Sequence, residues 1–204
     1  MDRDLAREWS QRLSWLLRHG ARETGIAMDA AGWVAMEEVL RALLGLDAAL
    51  LDMVVRTNTK SRLEVAGGRI RAAQGHSPAG VPVTHDALEA SWERHGGERP
   101  LWHGTRAEAL SGIAAAGILP GERTHVHLAE SADSRVGKRS GVDVLIEVDP
   151  ARLRSRGLDV FRAANGVILT RRVPRDCIVG LLPATARARR DEAALRALLG
   201  LPPR

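Results

Sequence analysis

The sequence predicts a protein of the α+β class, with a helical N-terminal lobe that ends in a hairpin and a second lobe of short strands. Two observations lead to this prediction. Apolar residues recur at helical spacing between Leu5 and Val55, and alternation with a period of two replaces that spacing from residue 61 onward. A length of 204 residues is enough for one compact domain or two small lobes.

Three helices are predicted in the N-terminal lobe. The first should end at Gly20 in a left-handed conformation, which glycine adopts without steric cost. The third should begin at Asp47, whose carboxylate can cap it. The apolar positions of the three helices are Leu5, Trp9, Leu13, Leu16 and Leu17; Met36, Val39, Leu40, Leu43 and Leu44; and Leu50, Leu51, Val54 and Val55.

A β-hairpin is predicted directly after these helices. Residues 61–65 and 69–74 alternate as strands do, and Gly67-Gly68 supplies a tight turn between them. Three helices followed by a hairpin predict a winged-helix-like lobe over residues 1–77. Lobes of this kind often bind nucleic acid, although a fold alone does not establish a function.

Residues 78–98 contain several prolines and glycines and are predicted to connect the two lobes, with a short helix opening at Thr84. The second lobe is predicted over residues 99–184. It begins with a strand at 101–105 that runs into a helix, and Thr105 and Glu108 match the capping-box pattern. Further strands are predicted around 125–128, 144–148, 167–170 and 178–181, with a hairpin turn at Asn165-Gly166.

The remaining residues, 185–204, form an arginine-rich tail with a helical pattern, which we interpret as a solvated terminal helix.

The charge balance is basic, with 30 Lys+Arg against 25 Asp+Glu and a formal net charge of +5. Lys60 and Lys138 are the only lysines, so 28 of the 30 basic residues are arginine (30 − 2). A GC-rich genome can explain this surplus, but so can a need to hold phosphates, because the guanidinium fork binds them bidentately. Tyrosine is absent and Phe161 is the single phenylalanine, so stacking of bases on aromatic platforms is not expected.

The composition also excludes several classes of protein. Cys177 is the only cysteine, which rules out an intrachain disulfide framework and any multi-cysteine metal site. The N-terminus lacks the pattern of a secretory signal, and no apolar run approaches the roughly 20 residues of a membrane span. We therefore expect a cytoplasmic protein without a membrane partner.

Two basic segments of the first lobe could bind a phosphate. Arg18 and His19 stand where the first helix ends, and a guanidinium beside a titratable imidazole suits both phosphate binding and proton transfer. A cation at a helix C-terminus is also ordinary, because the helix dipole favours it there. Arg71 shares a strand face with Arg69 and is followed by a polar segment, so its side chain is either solvated or functional.

Three segments of the second lobe could also carry a site. His103, Gly104 and Thr105 lie at a strand-to-helix junction, where free N–H groups and a glycine favour an anion or a dinucleotide. His125 and His127 alternate and would share one strand face. With His103 they could bind zinc, but no acidic partner occurs at a suitable spacing, so a metal is not expected. Arg139 lies in a basic, glycine-flanked loop that could clamp a phosphate or be solvated.

Taken in order, these segments resemble the NAD-dependent RNA (tRNA) 2′-phosphotransferase family. The resemblance extends over about residues 10–182, and several separate motifs are far more specific than any single one. Trp102, Gln11 and Ala129 depart from the family's usual tyrosine, lysine and serine. The matching segments are 13–19 (LSWLLRH), 29–34 (DAAGWV), 70–77 (IRAAQGHS), 101–105 (LWHGT), 125–128 (HVHL), 136–139 (VGKR) and 165–170 (NGVILT).

The resemblance implies an N-terminal winged-helix-like RNA-binding lobe and a C-terminal NAD-binding lobe like that of ADP-ribosyltransferases. It also implies a catalytic quartet and a set of NAD⁺-binding residues, with no metal required. Separately, we expect a monomer. The quartet would be Arg18, His19, Arg71 and Arg139, and the NAD⁺-binding residues would be His103, Gly104, Thr105, His125 and His127.

The family's reaction removes an internal 2′-phosphate from RNA, as left in tRNA splicing, and transfers it to the co-substrate NAD⁺. The phosphate attacks the ribose carbon that carries nicotinamide and gives an ADP-ribosylated RNA phosphate. The neighbouring 2″-hydroxyl then attacks the phosphorus, which releases RNA with a 2′-hydroxyl and ADP-ribose 1″,2″-cyclic phosphate. A phosphate monoester, with a second pKa near ~6, is already largely a dianion at neutral pH, so this nucleophile needs no general base.

Two other functions remain open at the level of the sequence. The same arginines could hold a terminal phosphate of RNA or DNA, which would be ADP-ribosylated without a second step. The chain could also be a non-catalytic, basic RNA-binding protein whose second lobe only packs; its RNA affinity would then fall steeply with salt.

Overall fold

A computed structural model describes residues 3–58, 61–134, 137 and 141–203 of the chain. Small antiparallel sheets and short helices alternate along it, so the predicted α+β class is confirmed. The chain divides into two compact units, Met1–Glu93 with Glu122–Thr124, and Arg94–Gly121 with His125–Arg204. Residues 78–93, predicted as a connector, therefore belong to the first unit.

The first unit contains the three predicted helices, and Asp47 caps the third through a bond from the Leu50 N–H to its carboxylate at 2.8 Å. The prediction for Gly20 is wrong. Its φ is −105°, the chain continues through a further helical turn, and the left-handed residue is Gly25 at φ 69°. Gly20 is instead buried against Trp15, whose ring leaves no room for a Cβ. The helices are α1 Arg3–Trp15, α2 Ala21–Thr24, α3 Met36–Ala42, α4 Ala48–Thr57 and α5 His85–Ala90, with a π-helical turn at Leu16–Gly20.

A three-stranded antiparallel sheet completes this unit, in the order β1-β3-β2. The predicted hairpin is confirmed: Gly67 and Gly68 both have positive φ, and they pair Ala66 with Arg69. The strands are β1 Val34–Ala35, β2 Leu63–Ala66 and β3 Arg69–Ala72. The buried core consists of Trp9, Leu13, Leu16, Leu17, Val34, Val39, Leu46, Leu51, Val54, Leu63, Ile70 and Ala72.

The helix predicted at Thr84 forms as α5, and the Thr84 hydroxyl caps it by accepting a bond from the Ala87 N–H at 3.3 Å. Leu88 and Trp92 are buried, and the indole N–H of Trp92 donates to the Ala73 carbonyl at 3.1 Å. The segment after the hairpin is therefore packed onto it.

The second unit is built on two antiparallel sheets, in the orders β10-β7-β5 and β4-β8-β9-β6, joined by a bridge between Trp102 and Ala129. The predicted turn at Asn165-Gly166 is confirmed, because it joins the antiparallel pair β8 and β9 with Gly166 at φ 77°. The strands are β4 Glu93–Arg94, β5 Leu101–Thr105, β6 Val126–Leu128, β7 Val144–Val148, β8 Phe161–Arg162, β9 Ile168–Thr170 and β10 Ile178–Pro183.

The predicted capping box at Thr105 is wrong. Thr105 is the buried last residue of β5, and the following helical segment begins as a 3₁₀ turn, Ala107–Ala109, without a side-chain cap at Arg106. The carboxylate of Asp143 accepts the Ala107 N–H at 3.2 Å instead. Pairing of β5 thus places Thr105 in a strand, although the local sequence pattern predicts it as a helix cap. The helices of this unit are α6 Leu110–Ala116, α7 Pro150–Ser155, α8 Ala186–Arg190 and α9 Glu192–Leu198.

The C-terminal tail is helical as predicted, but it is not a solvated helix. Ala188 and Leu199 are buried in the core of the second unit. Arg196 is 7% exposed and donates to the Leu181 carbonyl at 3.2 Å and the Pro202 carbonyl at 2.7 Å. The tail therefore completes this unit. Within the described part of the chain, no helix has the length and apolarity to cross a membrane.

Candidate functional site

Arg18 and His19 lie on the π-helical turn that interrupts the first helix, a form that is rare and frequent at functional sites. A second segment holds this turn. The Ser77 N–H donates to the Arg18 carbonyl at 2.9 Å, and the Gly80 carbonyl accepts the Arg22 N–H at 3.0 Å. Gly80 approaches so closely that a Cβ there would overlap the carbonyl oxygen of His19. The backbone groups freed by the π-turn are thus satisfied by residues 77–80.

Arg18 is partly buried, and within the described residues it has no acidic partner. Its Nε and Nη2 atoms are inaccessible to solvent and make no hydrogen bond there. Burial, together with the positive charges of Arg62 and Arg123, lowers the pKa of Arg18 to about 10. Buried donors without acceptors are costly, so this position favours an anion.

His19 follows on the exposed side of the same turn. Partial burial and the charges of Arg18 and Arg123 lower its pKa below 6.5, whereas Glu122 opposes this shift. The imidazole is therefore neutral at physiological pH, a form that can accept or donate a proton.

Arg123 reaches the first unit through a three-residue segment, Glu122–Thr124, that lies far along the chain. The Ser77 hydroxyl donates to the Glu122 carbonyl at 2.9 Å, and the Thr124 N–H donates to the His76 carbonyl at 3.1 Å. The segment is thus bonded to residues 76–77, the second of which also bonds Arg18. Arg123 and Arg62 are not among the site residues predicted from the sequence.

Arg71 lies on β3, which packs against the π-turn. The solvated-face interpretation is wrong for this residue, because Arg71 is 4% exposed while Arg69 is exposed. Its guanidinium pairs with the Glu64 carboxylate at 2.9 Å, donates to the Ser91 hydroxyl at 2.7 Å and lies 4.6 Å from the centre of the Trp33 ring. Three elements of the first unit thus fix its orientation.

The turn that carries Trp33 is itself braced by Asp29. Burial raises the pKa of this carboxyl, but bonds from the Trp33 and Ala31 N–H groups, both at 2.9 Å, and the Arg69 guanidinium at 2.6 Å lower it by more. Asp29 is therefore ionised well below neutral pH, and it places Trp33 beside Arg71.

In the second unit, the predicted dinucleotide segments lie on adjacent strands. His103, Gly104 and Thr105 are the last residues of β5, and His127 is in β6. A ring nitrogen of His103 lies 3.0 Å from the His127 carbonyl, which links the two strands. His125 immediately precedes β6 and is 1% exposed, whereas His127 is half-buried.

Arg139, the fourth predicted catalytic residue, lies outside the described residues. The nearby Gly137 is described, and a Cβ there would overlap the Leu128 carbonyl oxygen. Among the residues described, no cluster of three or more His, Cys, Asp or Glu side chains could hold a metal ion.

The first unit thus brings together a group of basic side chains on a π-turn and a strand, with buried N–H donors that favour an anion. The family comparison then assigns the chain to a family. The model of the RNA 2′-phosphotransferase, Tpt1 / KptA family matches residues 4–172, so the chain belongs to this family. The resemblance noted from the sequence motifs is confirmed.

Individual relatives agree with this assignment. A probable RNA 2′-phosphotransferase of Burkholderia lata is 40% identical over 175 residues, 82% of this chain and 87% of that protein. One from Pseudomonas savastanoi pv. phaseolicola is 36% identical over 182 residues, 85% of this chain and 93% of that protein. One from Rhizobium rhizogenes is 38% identical over 177 residues, 83% and 91% of the two chains.

Proposed function

We propose that this protein is an RNA 2′-phosphotransferase that transfers an internal 2′-phosphate to NAD⁺ in two steps. The 2′-phosphate displaces nicotinamide and forms an ADP-ribosylated RNA phosphate. The ribose 2″-hydroxyl then displaces the RNA 2′-oxygen from phosphorus, giving ADP-ribose 1″,2″-cyclic phosphate and RNA with a 2′-hydroxyl. Family membership supports the transferase activity, and the chemistry of the first unit supports phosphate as the group that is bound.

The observation that carries this proposal is that two guanidinium nitrogens of Arg18, Nε and Nη2, are buried and have no acceptor in the described part of the chain. A dianionic phosphate would supply both charge and acceptor oxygens. Arg18, Arg71 and Arg139 would hold the phosphate and stabilise the charge of the second step. His19, whose lowered pKa keeps it neutral, would move a proton or orient the ribose hydroxyl.

The second unit would bind NAD⁺. Gly104 has no side chain to keep a ligand from the backbone, and a ring nitrogen and a hydroxyl flank it on His103 and Thr105. These donors fit the ribose and diphosphate oxygens of a dinucleotide, with His125 and His127 lining the pocket. In this assignment the first unit is the winged-helix-like RNA-binding lobe, and the second is the ADP-ribosyltransferase-like lobe.

The test is incubation with NAD⁺ and an RNA oligonucleotide that carries one internal 2′-phosphate. We expect nicotinamide, ADP-ribose 1″,2″-cyclic phosphate and RNA with a free 2′-hydroxyl, with full activity in EDTA. The same oligonucleotide with only a 5′-phosphate is the control. A stable ADP-ribosylated end on that control, without cyclic product from the first substrate, would establish the terminal-phosphate activity instead. RNA binding with no nicotinamide release would contradict any NAD⁺ chemistry.

A further inference from the structure

The guanidinium of Arg71 has five N–H bonds, and the structure uses them unevenly. Nη1 donates to the Ser91 hydroxyl at 2.7 Å and to the Ala31 carbonyl at 3.4 Å. Nη2 donates to one oxygen of Glu64 at 2.9 Å. The Nε–H is buried and has no partner among the described residues. One edge of the guanidinium is thus held by the protein, while Nε makes no such bond.

Only one of the two carboxylate oxygens of Glu64 accepts a hydrogen bond from Arg71. Arginine and carboxylate often pair bidentately, which here would join Oε1 of Glu64 to Nε of Arg71. Both of these atoms are buried and unbonded in the described part of the chain. The carboxylate therefore holds the guanidinium by its charge and one bond, and it makes no hydrogen bond to Nε.

The location of Glu64 suits a supporting role. It lies directly opposite Arg71 in the register of β2 and β3, and its side chain is 21% exposed against 5% for Arg71. The ring of Trp33 lies against the same guanidinium. With a strand neighbour at one edge and an aromatic ring against it, the group has little rotational freedom.

We propose that Glu64 is a positioning residue, which stays paired with Arg71 during the reaction and directs its Nε–H toward the phosphate. This inference rests on the proposed function in that the ligand of Arg71 is the RNA 2′-phosphate. The opposite arrangement, in which Glu64 occupies the place of the phosphate and is displaced by it, predicts a different result in the test.

The test compares Glu64→Gln with the wild type, using Asp52→Asn as the matched control. Asp52 pairs with Arg56 on the exposed face of α4, so the control also changes a carboxylate of an ion pair to an amide. We expect kcat of Glu64→Gln to fall roughly tenfold because Arg71 is less well oriented. Its KM, and its Kd for 2′-phosphorylated RNA without NAD⁺, should stay unchanged or decrease because one negative charge near the phosphate is lost. Asp52→Asn should match the wild type.

A second measurement does not depend on turnover. The ¹⁵N relaxation of the Arg71 Nε–H, assigned by its loss in Arg71→Lys, should show a rigid group in the wild type and a mobile one in Glu64→Gln. Titration with inorganic phosphate should shift this resonance in the wild type. A mobile Nε–H in the wild type would overturn the proposal even if Glu64→Gln does not fold.

The remaining outcomes are equally decisive. A rise in kcat/KM of Glu64→Gln would show that Glu64 competes with phosphate, and an unchanged kcat with a rigid Nε–H would show that it has no positioning role. If the wild type releases no nicotinamide, the proposed function fails, whereas the relaxation measurement still decides how Glu64 holds Arg71.

Discussion

Arg18 and Arg71 are both mostly buried in the first unit, but their surroundings differ. Arg71 has a carboxylate, a hydroxyl and an aromatic ring as partners. Arg18 has buried N–H groups without acceptors in the described residues, and Arg62 and Arg123 add like charge. Arg71 is therefore bonded into the fold of the first unit, whereas the unsatisfied donors of Arg18 lower the stability of the folded state. An anion that binds Arg18 would satisfy these donors and restore that stability.

Replacing Arg18 should have the largest effect on activity and the most unusual effect on stability. For Arg18→Met, which keeps most of the side-chain volume, we expect kcat/KM to fall by about 10²–10³-fold, as for loss of one charge-stabilising donor. The free energy of unfolding should stay the same or rise, because the substitution removes a cation whose buried nitrogens lack an acceptor in the described part of the chain. Steady-state kinetics and urea denaturation measure the two effects.

The direction of the stability change follows from the pKa of Arg18. Its folded value, about 10, lies below the ordinary value of an arginine, so the unfolded chain binds the proton more tightly. The charged form therefore lowers the stability at neutral pH, and this loss is relieved only as the pH rises above the folded pKa of about 10. A clear loss of stability in Arg18→Met at pH 7 would show that Arg18, like Arg71, stabilises the fold.

Replacing Arg71 should reduce both the activity and the stability of the protein. In Arg71→Met we expect a loss of about 3 kcal/mol in transition-state stabilisation. The free energy of unfolding should fall by about 2 kcal/mol, because the partly buried Glu64 carboxylate loses its cation. The double variant Glu64→Leu/Arg71→Met should recover stability but not turnover, since an apolar pair replaces the ion pair. Recovery of turnover as well would show that Arg71 is not part of the catalytic site.

Changing residues 77–80, which bond to the π-turn, should have a smaller effect. Gly80→Ala places a methyl group against the His19 carbonyl, and overpacking of this kind costs about 1–3 kcal/mol. We expect a lower melting temperature and a moderately lower kcat. Gly112→Ala is the control, because no atom lies within 4 Å of a Cβ built there. Equal behaviour of the two variants would show that residues 77–80 do not hold the turn.

The smallest expected effect is on His19. Removing the positive charge of Arg123 in Arg123→Gln should raise the pKa of His19 toward 6.5, because one of the charges that lower it is lost. Titration of the imidazole by NMR measures this change, with Arg56→Gln on the exposed face of α4 as the control. An unchanged pKa would mean that Arg123 does not act on the π-turn.

Much of the ion pair at Arg71 could have been predicted from local pattern. A two-residue Gly67-Gly68 turn fixes the register of the hairpin, and that register sets Glu64 opposite Arg71. Opposite charges facing each other across strands are a recognised stabilising pair. Of the two alternatives left open for Arg71, the solvated face is wrong, because the burial of Arg71 depends on Trp33 and Ser91, which belong to other segments.

The position of Arg123 near the predicted phosphate residues could not be predicted in this way. Arg123 has no sequence neighbour among the predicted phosphate residues, and its segment is held near them by bonds that join Glu122 and Thr124 to residues 76–77. The capping box at Thr105 failed for a related reason, since pairing of β5 with β7 occupies that residue. Local pattern is reliable where neighbours along the chain make the contacts, and it fails where distant segments do.

By itself, the sequence determined the α+β class, the hairpin and its register, and the family motifs that carry the basic residues. Periodicity and turn residues act over a few positions, so they can be read locally. Only the tertiary structure decided that Arg18 is partly buried with no acidic partner among the described residues, that its pKa falls to about 10, and that Arg71 is held in place. Desolvation and long-range charge depend on which segments pack together, and residue order alone does not state that.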